Sequence, residues 1–171
     1  MASTLDTITK TLLSKDTLAS LGKTVGISED DASKVLASVL PKLLEGATAQ
    51  ASNAKTEASF GEALESHAGN YTTNIASFFK NVDIDDGAKI VKHLLGSKET
   101  AVAKETKKST GIDPKVVTAV MAAAAPLLMS VIGNKAKKEQ KKDSTVASVA
   151  KAVLGSVDVG SLVNAFIKAK L

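Results

Sequence analysis

Residues 116–133, VVTAVMAAAAPLLMSVIG, run eighteen positions without a charge. As a helix they reach ~27 Å, just under the ~30 Å of a bilayer's hydrocarbon core. A helix apolar on every side belongs either in lipid or in the middle of a protein. Here Thr118, Ser130 and Pro126 interrupt the run, and its alanines add little to insertion. Lysines flank both ends, Lys115 before it and Lys135, Lys137 and Lys138 after it, so they set no positive-inside orientation.

The chain supplies its own comparison. Residues 26–47, GISEDDASKVLASVLPKLLEGA, align without a gap on residues 111–132, GIDPKVVTAVMAAAAPLLMSVI. Gly26 meets Gly111, Ile27 meets Ile112, Pro41 meets Pro126, and Ser28 meets Asp113. The last two are equivalent, since each offers a side-chain oxygen to the free amides of a helix start. Each copy reads as a glycine turn, an apolar residue, a cap and a long helix. The internal proline removes one hydrogen bond from that helix and predicts a kink or a break. Where the second copy has Ala119, Leu127 and Ser130, the first has Lys34, Lys42 and Glu45. One helix is thus expected half-exposed and the other central, with no transmembrane span.

Upstream of each glycine the likeness extends more loosely, giving repeat-like halves at about 12–47 and 94–132. Between them, Phe60, Ala63 and Leu64, then Ile75, Phe78 and Phe79, recur at helical spacing. Beyond the charged connector KAKKEQKKD, a C-terminal helix pair is expected over about 144–171. Its stripes are Val146, Val149, Ala150, Val153, Leu154 and Val159, Leu162, Val163, Phe166, Ile167. No stretch alternates as a strand does. The expected fold is all-α, a single compact domain over 1–171 with about eight or nine helices.

Composition narrows the function classes. The chain of 171 residues has no cysteine, which removes thiolate metal sites, disulfides and a cysteine nucleophile. All 22 basic residues are lysine. Without arginine there is no bidentate fork for guanine or phosphate and no arginine finger. The start, MASTLDTITKTLLSK, has neither a basic n-region nor a continuous apolar run, so the expected location is the cytoplasm.

The run Asp86-Gly87-Ala88-Lys89-Ile90-Val91-Lys92-His93-Leu94-Leu95-Gly96, then Thr110-Gly111-Ile112-Asp113, then Ala125-Pro126-Leu127-Leu128, resembles a bacterial domain-of-unknown-function family related to the YidB proteins. Val25-Gly26-Ile27-Ser28 and Leu40-Pro41 fit its first half, and the likeness covers about residues 5–133. It implies a bacterial, compact, all-helical protein, with no catalytic residues to carry over.

Individual motifs fall to simpler readings. A helix-turn-helix centred on Gly26 would present Glu29, Asp30 and Asp31 to phosphates, the wrong charge for a groove-entering helix. Gly22-Lys23-Thr24 lacks the first glycine of a phosphate loop, since Thr17 stands there. Asp83, Asp85 and Asp86 depart from calcium-loop spacing, so Asp85 or Asp86 is expected to cap a helix. Ser97 is expected to cap the next one. His67 and His93, the only histidines, lack the partners of a metal site or triad.

The reading is a non-enzymatic structural or protein-interaction protein with no cofactor and no metal, its partner another protein or a second copy of itself. Self-association would run through the alanine-rich or C-terminal helices. The alternative is a lysine-based binder of nucleic acid or another polyanion, with Lys135, Lys137, Lys138, Lys141 and Lys142 as the contacts.

Overall fold

The computed structural model describes residues 4–68 and 74–139 and the single positions 149 and 154. The described residues form helices joined by short turns, without a strand. In order they form α1 (Thr4–Leu12), α2 (Lys15–Val25), α3 (Glu29–Ser52), α4 (Glu57–Ala68), α5 (Ile75–Lys80), α6 (Ile84–Leu95), α7 (Glu99–Thr110) and α8 (Pro114–Glu139). The expected C-terminal pair at 144–171 lies outside the described residues except at Val149, which packs on the core, and Leu154, which is buried in it.

The helix ends follow local chemistry. Gly26 and Gly111 close α2 and α7 in the left-handed region, at φ 85° and 76°, where a side chain is strained. Their amides donate to the carbonyls of Gly22 and Lys107 at 2.7 Å each. Ser28 Oγ then accepts the Asp31 amide at 3.1 Å, and Asp113 Oδ1 accepts the Lys115 amide at 2.8 Å. Ser14 begins α2 in the same way, accepting the Thr17 amide at 3.2 Å.

Two expected caps are corrected. Asp83, not Asp85 or Asp86, caps α6, its Oδ1 accepting the Asp86 amide at 3.1 Å. Asp85 and Asp86 sit in the first turn, where the helix dipole favours them. Ser97 caps nothing: Gly96–Lys98 is a turn of 3-10 helix running into α7, whose first residue follows a helical Lys98 with no side-chain cap.

The apolar stretch lies at the centre. α8 packs against α1, α2, α3, α4, α6 and α7. Ala122, Ala123, Ala124 and Ala125 are at most 4% exposed. α8 is the one described helix long and apolar enough to cross a membrane, and 83% of its apolar window is buried inside the protein. Lys34, Lys42 and Glu45 of α3 face solvent, while Leu127 and Ser130 of α8 are buried.

Neither proline breaks its helix: α3 continues through Pro41 and α8 through Pro126. Pro126 has no amide to donate to the Ala122 carbonyl. α6 crosses α8 at that carbonyl, with Gly87 so close that a Cβ there would overlap the Ala122 oxygen and press on the Pro126 ring. The Cα–H that replaces the Cβ is a weak donor, suited to a carbonyl left without its N–H. Gly133 of α8 meets the Leu64 carbonyl of α4 in the same way. Gly87→Ala is therefore expected to destabilise the protein by about 3 kcal/mol, the upper range for an overpacked contact, read as a lower urea midpoint with an unchanged m value.

Candidate functional site

A cleft of ≈ 380 Å³ lies where α4, α5, α6 and α8 converge. α8 forms its floor through Pro126 and Ser130, α5 contributes Ser77 and Phe78, and the α5–α6 connection contributes Asn81, Val82 and Asp83. His67 of α4 and Asp86 of α6 complete it. Phe78 meets Phe79 edge to face at 5.6 Å, and Phe79 is buried in the core, so the cleft wall is tied to the interior.

His67 links the two outer walls. Its Nδ1 donates to the Ala63 carbonyl at 2.7 Å, since a carbonyl can only accept. Its Nε2 meets Asp86 Oδ2 at 2.9 Å. The imidazole is 13% exposed and the carboxylate 45%. Whichever of the pair holds the hydrogen between Nε2 and Oδ2, both ring nitrogens are engaged. No lone pair remains to take a proton from Ser77, so the Ser, His and Asp of this cleft do not form a nucleophilic triad.

His93 stands apart, exposed at the rim of a small notch of ≈ 130 Å³ lined by Phe60, Ile90, Leu94 and Met129. Its carbonyl accepts the Gln50 side-chain amide at 2.9 Å. Among the described residues no three His, Asp or Glu side chains gather as metal ligands.

Of the lysines singled out in the sequence, Lys135, Lys137 and Lys138 fall on the last turns of α8. Lys141 and Lys142 lie outside the described residues. Lys135 pairs with Glu139 at 3.4 Å, one helical turn on. Lys137 and Lys138 are exposed and complement the negative end of the α8 dipole.

The family of bacterial proteins of unknown function designated DUF937 matches residues 6–135. The chain belongs to this family. The matched region takes in the described helices from α1 to the last turns of α8, nearly the span over which the likeness was legible, and leaves the C-terminal stripes beyond it. No curated protein and no solved structure matches the chain.

Spacing in the sequence gave no sign of the His67–Asp86 contact, because its partners are separated by nineteen residues on different helices. A double-mutant cycle with His67→Leu and Asp86→Ala, followed by urea denaturation, is expected to show a coupling of about 1 kcal/mol, the usual worth of a part-exposed hydrogen bond.

Proposed function

We propose that this protein is a non-enzymatic structural or interaction protein of the cytoplasm that assembles with further copies of itself. The observation that carries the reading is the use of apolar surface. The alanine-rich run is fully committed to the core, and Leu154, from the first C-terminal stripe, is 1% exposed within the same core. A second stripe, Val159, Leu162, Val163, Phe166 and Ile167, is spaced in the sequence as an apolar helical face and lies outside the described residues. Such a face needs an apolar partner. The engaged nitrogens of His67 support a role without chemistry. The burial of α8 supports its place in a protein core rather than in a bilayer.

We also read the two units that begin at Gly26 and Gly111 as an internal repeat. Both join a left-handed glycine to a side-chain cap two residues later and then to a long helix containing a proline. The eight described helices together with the expected C-terminal pair would make ten, above the eight or nine its sequence suggests.

Light scattering over a range of concentrations tests the assembly. A mass above the 17.6 kDa of one chain is expected, falling to that of one chain in Phe166→Lys. A strictly monomeric mass at high concentration would overturn the reading.

The exposed Lys137 and Lys138 favour a second reading, a lysine-based polyanion binder acting through Lys135, Lys137, Lys138, Lys141 and Lys142. Retardation of duplex DNA should then weaken steeply with salt, by roughly one power of salt concentration per phosphate contacted. No retardation at low salt excludes it.

A further inference from the structure

We propose that the groove between α3 and α7 is the face on which two copies of this chain meet across a twofold axis, an inference that rests on the self-association above and names the surface that orients it. The groove holds ≈ 380 Å³. One wall is α3, with Lys42, Glu45 and Ala49. The other runs from the 3-10 turn into α7, with Lys98, Ala101 and Glu105. Leu94 and Leu95, at the end of α6, and Val102 of α7 make an apolar floor. Gly46 of α3 lies against the Leu94 carbonyl, closer than any Cβ would allow, so the first wall is locked to that floor.

Both walls use one spacing. On each, three exposed residues stand at positions i, i+3 and i+7, which places them on one helical face. Each wall begins with its lysine and carries its glutamate further along the chain. None of these four charges is in an ion pair among the described residues. Two lysines and two glutamates leave the groove neutral on a chain of net charge +4.

This order of charge selects the partner. An isologous contact sets residue i on j and j on i. A twofold axis running from wall to wall lays each wall on its own counterpart in the reverse direction. Lys42 then comes opposite the glutamate of the second α3, and Lys98 opposite the glutamate of the second α7. Ala101, between Lys98 and Glu105, keeps the centre low enough for close approach. The α5 cleft, with its aspartates, and the α8 end, with Lys137 and Lys138, would each set like charges together if laid on their own copies. Exposed ion pairs add little affinity themselves, so the four charges fix orientation while apolar surface supplies the attraction.

Light scattering of the full chain tests the groove with two double variants. Lys42→Glu with Lys98→Glu makes its charges all acidic, and Glu45→Lys with Glu105→Lys makes them all basic. All four positions are exposed, so both variants are expected to keep the helix content of the wild type by circular dichroism. At concentrations where the wild type is associated, each variant alone is expected to show the mass of one chain. An equimolar mixture of the two is expected to recover the assembled mass. Lys137→Glu with Lys138→Glu changes the net charge as much as the all-acidic variant does and is expected to keep the wild-type mass.

The groove is ruled out if either variant alone stays assembled, if the mixture remains at one chain, or if the α8 control dissociates equally. An assembled wild type with unaffected groove variants would remove the groove and leave self-association standing. A monomeric wild type would remove both.

Discussion

A single missing hydrogen bond organises the middle of this protein. Pro126 leaves the Ala122 carbonyl without its helical donor, and a free carbonyl deep in a core is costly unless something meets it. α6 meets it with Gly87, the one residue type whose backbone can lie directly on that oxygen. The contact fixes the height at which α6 crosses α8. The rest of α6 is then positioned: Ile90, Val91, Leu94 and Leu95 turn into the core, and Asp86 is set on the cleft wall opposite His67. Gly133 against the Leu64 carbonyl brings α4 onto α8 at a second close crossing. The cleft is the space that these two tight crossings leave between their helices, roofed by α5.

The parts of the fold legible in the sequence were those governed by neighbours along the chain. Gly26, Ser28, Gly111 and Asp113 are read correctly because a left-handed turn and a cap involve only a few consecutive residues. The central place of 116–133 is legible for a different reason. The chain contains a charged counterpart of the same helix, and Lys34, Lys42 and Glu45 show what an exposed version looks like. Proline leaves a kink and a break both open, because the local rule concerns an isolated helix. In α8 the disturbed carbonyl is met by another helix, and the helix continues.

The candidate site was much less legible. Its members come from four helices, and only contacts across the fold bring them together. The acidic trio at 83–86 draws attention as a calcium motif and then as caps, but the sequence does not tell which aspartate caps. Once Asp83 takes that place, Asp86 is oriented toward α4, and His67 becomes a bridge between α4 and α6. The lysine cluster, by contrast, is easy to see in the sequence. Its described members remain on the outer end of α8, where charge and solvent already explain them.

The position of α8 in the chain has a consequence for how the protein is made. Every described helix that packs on α8 precedes it in the sequence, and chains emerge from the ribosome N-terminus first. When the most apolar helix appears, the helices that will enclose it have already been synthesised, so it is exposed only briefly. The burden falls on the earlier helices. Ile8 and Leu12 of α1 and Leu64 of α4 belong to a core that is incomplete until residues 114–139 arrive. The nascent chain is most vulnerable to misassociation while about its first hundred residues are out, before its greasiest segment has been made.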